Sequence, residues 1–143
     1  MKMKLKRLNK GNPVPSYETE KSVGMDCFVS EETVISPGEV KLVPLGVCAE
    51  APDGTMIGLL VRSSTPMKTT LMLANSLGVI DQDYAGNGDE IHALVYNYGE
   101  EPVKLAEGDR RFQMVVFDVA RVDVKEVDDM ENEDRGGFGS TGD

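Results

Sequence analysis

Turn chemistry recurs so often along this chain that, over most of it, only short strands have room to form. Fifteen glycines and seven prolines fall among the 143 residues. They gather between runs rich in β-branched and apolar side chains rather than inside them. The runs are residues 4–8, 25–29, 40–48, 56–61, 77–80, 90–98 and 111–127, with shorter ones at 33–35 and 103–105. Ser36-Pro37-Gly38, Pro52-Asp53-Gly54, Gly86-Asn87-Gly88 and Glu107-Gly108-Asp109 mark turns between them. Alternation is clearest at 90–98, where Ile91, Ala93 and Val95 face one way and His92, Leu94 and Tyr96 the other. Such a pattern predicts an all-β fold, a sandwich or barrel of jelly-roll type. At most one short helix fits: Ser64-Thr65-Pro66 supplies a cap and an early proline, and helix-tolerant residues Met67–Leu73 follow, but Thr69-Thr70 weakens it, so one turn or two is expected.

The length suits one domain, expected over residues 1–127. A domain of that size buries roughly two-thirds of its unfolded surface and needs no disulfide or metal to fold. Beyond it comes an acidic run without core residues, Asp128-Asp129-Met130-Glu131-Asn132-Glu133-Asp134, and then Arg135-Gly136-Gly137-Phe138-Gly139-Ser140-Thr141-Gly142-Asp143. Residues 128–143 are expected to form a mobile, glycine-rich C-terminal arm. No apolar run approaches the ~20 residues that span a bilayer, and the basic start lacks a signal peptide's apolar core. A soluble, cytoplasmic protein without a membrane partner is the expectation.

Fifteen Lys+Arg against 25 Asp+Glu give a net charge of −10. That field opposes the counterion release by which proteins hold long nucleic acids. A small polyanion still fits where positive groups and a divalent metal converge. Cys27 and Cys48 have no metal-ligand spacing and His92 is the only histidine, which argues against a zinc site and a Cys–His dyad. Both cysteines read as small buried apolar side chains.

Four clusters could carry chemistry. In the arm, glycines let successive N–H groups curl around an anion, Arg135, Ser140 and Thr141 add donors, and Phe138 could stack on a flat base. Arg62-Ser63-Ser64 ends one strand run and opens the helix, a seat suited to phosphate, although an ordinary cap is the plainer reading of these three residues alone. In Asn75-Ser76-Leu77-Gly78-Val79-Ile80-Asp81-Gln82-Asp83-Tyr84, Asp81 stands just past an apolar strand, where a carboxylate can deprotonate a water. There Asn75 presents a donor and an acceptor on one amide, and Tyr84 could lie against a sugar; from this segment alone the plainer reading is Asp81 as a turn residue and Tyr84 as strand-end packing. In Gly108-Asp109-Arg110-Arg111-Phe112-Gln113 a turn feeds a buried strand containing one amide. Gln113 must therefore find a partner, either backbone or a ligand phosphate. Asp26, beside another β-run, raises the same question, with a metal-bound water as one answer.

In their order along the chain, Gly24-Met25-Asp26, Arg62-Ser63-Ser64, Asn75 through Gly86, Gly108 through Gln113 and Gly136 through Gly142 resemble the motifs of the trimeric dUTPases. The resemblance runs from about residue 20 to the C-terminus. It implies a jelly-roll homotrimer whose three active sites are each assembled from all three chains. It also implies Mg²⁺-dependent hydrolysis of dUTP to dUMP and pyrophosphate, which keeps uracil out of DNA and supplies dUMP for dTMP synthesis. By the same resemblance Asp81 activates the attacking water at the α-phosphorus. Asn75, with backbone around Gly78 and Val79, reads uracil, and Tyr84 excludes a ribose 2′-OH. Arg62, Ser63, Ser64 and Gln113 contact phosphates, and Asp26 lies near metal-bound waters. Arg135, Phe138, Gly139, Ser140 and Thr141 belong to the arm that closes over base and γ-phosphate.

The chain departs from the family pattern in three places. Arg135 stands three residues before Phe138 where five are common, Ala85 replaces a long polar residue in a longer turn, and Arg111-Phe112 replaces Ile-Ala. The alternatives are the related dCTP deaminase, whose acid–base carboxylate motif is missing here, and a dUTP-sensing regulator acting through an unidentified protein partner. A structural β-trimer without a site is the third.

Overall fold

The computed structural model describes residues 1–139 and Gly142; Ser140 and Thr141, both assigned to the arm above, lie outside the described residues. The described strands are β1 (Lys4–Arg7), β2 (Ser16–Tyr17), β3 (Gly24–Cys27), β4 (Thr33–Ile35), β5 (Val40–Pro44), β6 (Val47–Glu50) and β7 (Thr55–Val61). The helix α1 (Thr65–Lys68) separates these from β8 (Leu71–Leu73), β9 (Gly78–Ile80), β10 (His92–Asn97), β11 (Val103–Leu105) and β12 (Phe112–Asp118). A five-stranded sheet in the order β2-β3-β12-β7-β9 and a three-stranded sheet β5-β10-β8 form the two main layers, joined by the pairs β1-β6 and β11-β4. Every ladder is antiparallel. The all-β jelly roll expected from the spacing of turns is the fold.

Alternation decides which side chains fill the space between the layers. Ile57 and Leu59 of β7, Phe112 and Met114 of β12, Val43 of β5, Ala93 and Val95 of β10, and Leu71 and Leu73 of β8 are all buried there. Each large one contributes about 1.5–3 kcal/mol by leaving water. The odd residues of 91–97 point in and the even ones out, as the period-two pattern predicts.

Several details differ from expectation. The short helix is present as one turn ending at Lys68, and the residues that follow to Leu73 do not extend it. Thr69 is extended (φ −142°), and its hydroxyl donates to the Thr65 carbonyl at 2.7 Å and accepts from the Leu71 N–H at 3.2 Å. Leu71 and Leu73 then alternate with exposed Met72 and join the β10 ladder, so burial at strand period outweighs helix propensity. Ser64 occupies the cap position without a side-chain cap bond, so the expected seat at a helix N-terminus reduces to a single turn. The run 40–48 divides at Leu45-Gly46 into β5 and β6, and β12 stops at Asp118 although its apolar pattern continues to Val127. Val122 and Val124 are exposed, because no neighbouring strand among the described residues receives them. No helix among the described residues is long and apolar enough to cross a membrane.

One buried amide ties the end of β10 to three other segments. Asn97 is fully buried, and its Nδ2 donates to the carbonyls of Ile35 (3.0 Å) and Glu101 (2.8 Å). Its Oδ1 accepts from the Thr70 hydroxyl (2.6 Å) and the Gly99 N–H (3.0 Å). Truncation orphans several of these groups at once, each at a cost of about 1–3 kcal/mol. Asn97→Ala is expected to lose about 3 kcal/mol of stability, readable as a lower midpoint in urea unfolding; an unchanged midpoint contradicts this role.

Candidate active site

At one end of the five-stranded sheet, β3, β7 and β12 bring three arginines beside two carboxylates. The register sets Gln113 opposite Asp26 on one side and Leu60 on the other. Asp26 Oδ1 accepts from Arg62 Nε at 2.9 Å, and its Oδ2 accepts from Arg110 Nη1 at 3.3 Å. Arg110 Nη1 also reaches Glu18 Oε2 at 3.1 Å, and Arg62 Nη1 donates to the Arg110 carbonyl at 3.3 Å. The Asp26 carboxylate is one-tenth exposed, so its two guanidinium partners offset the cost of burying it. Gln113 Nε2 donates to the Val61 carbonyl at 3.0 Å, which answers its need for a backbone partner and leaves Oε1 free for a further bond. Arg110 and Glu18 were not assigned a role from sequence; Arg110 stands in the quoted motif, whereas nothing in the sequence marks Glu18.

Gly24 makes room for this amide. A Cβ there would collide with Gln113 Oε1. The obstacle is the far end of a flexible side chain, so Gly24→Ala can fold by swinging Gln113 away. The expected result is a nearly unchanged melting temperature with about a tenfold weaker KM. An unchanged KM in steady-state assays removes Gln113 from the site.

The second group of candidates lies on the connection from β8 to β9 and on its continuation. This connection carries the chain from the three-stranded sheet to the edge of the five-stranded one, turning through Ser76 at φ +62°. Asn75 is exposed in that turn. As an edge strand β9 is paired on one side only, by β7, so backbone groups around Gly78 and Val79 are open on the other. Asp81 follows directly, and its carboxylate has no hydrogen bond or ion pair with a described residue. Tyr84 turns back on Asp81 through its N–H (3.2 Å to the Asp81 carbonyl) and is fixed by its hydroxyl, which donates to the Glu90 carbonyl at 3.0 Å. Val79, Ile80, Asp81, Tyr84 and Leu42 line a cleft of ≈ 290 Å³, which Glu90 and His92 close from below. The position of Glu90 and His92 in this cleft was not read from the sequence.

These two groups do not meet within one chain. Ile80 pairs with Ile57, so Asp81 lies level with Met56, six residues along β7 from Arg62. At about 3.3 Å per residue the two are roughly 20 Å apart. The arm joins neither: Arg135 and Phe138 are exposed, and Phe138 has a positive φ of +46° between Gly136 (+79°) and Gly139 (+91°). Those glycine conformations are ones that other residues rarely adopt, which accounts for the arm's composition.

Comparison with known proteins supplies the deciding observation. The family model described as dUTPase matches residues 11–142. The chain belongs to the dUTPase family. Relatives agree: it is 37% identical to the deoxyuridine 5′-triphosphate nucleotidohydrolase of Anaeromyxobacter sp. (strain Fw109-5), covering 98% of this chain and 97% of that one. It is 38% identical to the same-named protein of Thermoanaerobacter sp. (strain X514), again over 98% and 97%. The crystal structure of a dUTPase from Streptococcus mutans superposes with a TM-score of 0.77 at 35% identity, covering 84% of this chain and 98% of that one. The dUTPase of Staphylococcus bacteriophage 80alpha, with dUPNHPP, shares the fold at TM-score 0.87 and 23% identity, over 99% and 98%.

Within this dUTPase-family chain the cysteines stand outside the site. Burial, with the neighbouring Asp26 charge, pushes the Cys27 thiol up to about 12, and burial raises Cys48 as well. Neither is a thiolate nucleophile at neutral pH. No group of three or more His, Cys, Asp or Glu side chains among the described residues could hold a metal ion.

Proposed function

We propose that the protein hydrolyses dUTP to dUMP and pyrophosphate at sites shared between the subunits of a homotrimer. The free Asp81 carboxylate at the rim of the Tyr84 cleft carries this reading. Asp81 accepts a proton from a water that attacks the α-phosphorus; the bond from that phosphorus to the α,β-bridging oxygen breaks and pyrophosphate leaves. Asn75 and the open edge of β9 read the hydrogen-bonding edge of uracil, and a ribose 2′-OH meets the Tyr84 ring. Arg62, Gln113 and the Ser63 and Ser64 hydroxyls hold phosphate oxygens, and the arm, with Arg135 and Phe138, closes over the nucleotide and excludes water.

The separation of Asp81 from Arg62 on one sheet supports a shared site. So does the outer face of the three-stranded sheet, where the register sets Leu94 opposite Leu42 and Tyr96 between Val40 and Met72. Val40, Leu42 and Met72 are each about half exposed, an apolar face of the kind that marks an interface between proteins. Mg²⁺ fits this chain only as an ion carried by the triphosphate, since there is no carboxylate cage among the described residues. Asp26 has two lone-pair positions left beside its arginine contacts and would meet such an ion through water. When bound, the ion supplies charge neutralisation on the phosphates.

The test is pyrophosphate release with Mg²⁺ from dUTP, UTP, dTTP and dCTP in parallel. Release from dUTP alone is the expected result. Binding of dUTP without release favours a nucleotide sensor, and release from all four removes the roles given to Asn75 and Tyr84.

A further inference from the structure

The guanidinium corner contains one cation that the reading above leaves unused. Arg111 precedes β12, yet the ladder continues through it: its carbonyl accepts from the Arg62 N–H at 3.0 Å and from the Thr65 hydroxyl at 2.6 Å. Phe112 and Met114 face the core and are fully buried, so Arg111 and Gln113, two residues apart, share the opposite face. Phe112 pairs with Val61, which puts Arg111 level with Arg62, and directly opposed residues have their Cβ atoms about 5 Å apart. Arg111 therefore lies between the two side chains read as phosphate contacts, Arg62 across the ladder and Gln113 along the strand.

Its hydrogen bonding is incomplete. Arg62 and Arg110 have carboxylate partners, whereas Arg111 has none among the described residues. Its Nε is shielded from solvent and has no acceptor. The two terminal nitrogens of the same guanidinium are not shielded and donate to no described residue, so they are the donors that a ligand oxygen can reach. The charge points the same way. Asp26 and Glu18 offset two of the three guanidiniums at this corner and leave Arg111 as the uncompensated one, in a chain of net charge −10.

We infer that Arg111 is a further phosphate-binding residue, taking the oxygens beyond the α-phosphate and so distinguishing a nucleoside triphosphate from its monophosphate. A planar fork of donors suits adjacent phosphate oxygens. The inference rests on the reading of Arg62 and Gln113 as phosphate contacts.

The experiment measures, by calorimetry on the assembled protein, binding of the imido analogue dUpNHpp and of dUMP to wild type, Arg111→Met, Arg111→Lys and Arg62→Met. Methionine keeps the apolar stem and so the packing. For Arg111→Met the expected result is about tenfold or greater loss of affinity for the analogue with dUMP binding unchanged. Lysine should recover part of that loss. Analogue binding unaltered by Arg111→Met overturns the proposal, as does an equal loss for dUMP and the analogue, which would make Arg111 a packing residue. If Arg62→Met loses affinity and Arg111→Met does not, only the role of Arg111 falls. If wild type does not bind the analogue, or Arg62→Met binds it normally, the phosphate reading of the whole corner falls with it.

Discussion

Asp81→Asn is expected to leave a folded protein that binds dUTP with near-normal affinity and turns it over about 10²–10⁴-fold more slowly. The substitution keeps size and polarity and removes only the ability to accept a proton. Asp81 is exposed at the end of β9, and no described residue depends on it for an ion pair, so stability should not change. Its isolation is what separates the chemical role from a structural one. Turnover measured by pyrophosphate release should collapse while the affinity for dUpNHpp stays within a few-fold. Normal turnover would return Asp81 to the status of a turn residue and require another base.

A chain ending at Asp134 is expected to keep its fold and assembly and to lose about a hundredfold or more in turnover. Every described arm residue from 128 to 139 is exposed and adds nothing to the core, so its removal leaves the packing of both sheets intact. On the proposed function, what the truncation removes is the covering that would exclude water and the cation that Arg135 would bring. Phe138→Ala isolates one part of this: with its ring fully exposed, the substitution costs no packing, and base stacking of about 1–3 kcal/mol is the amount at stake. A truncated chain that turns over normally, or one that dissociates, rules out the closing arm.

The layers were legible because their signal is local. The alternation of 91–97 and the turn residues between runs are properties of neighbouring positions, and they fixed β10 and most other strands. The strand at Leu71–Leu73 was not legible because the cue that makes it, pairing with β10 twenty-odd residues later, is not local. The end of β12 was overrun for the converse reason: Val122, Val124 and Val127 continue the pattern without a strand beside them among the described residues. The site was legible as ordered motifs, and Gln113 illustrates both the reach and the limit. Its need for a partner followed from burial, but that Gly24 clears the space it fills required coordinates. Glu18 carried no signal at all, because an exposed glutamate in a polar stretch looks the same whether or not an arginine lies across from it.

The register between β7 and β9 has a consequence for genetics as much as for enzymology. Because it holds Asp81 and Arg62 at opposite ends of one sheet, a subunit damaged at either residue still carries the other half intact. Two inactive proteins, Asp81→Asn and Arg62→Met, should therefore regain activity when unfolded together and refolded as a mixture. With random assembly about a quarter of the sites draw both sound halves, and each pure protein stays silent. A mixture as inactive as its components would mean that each chain completes its own site.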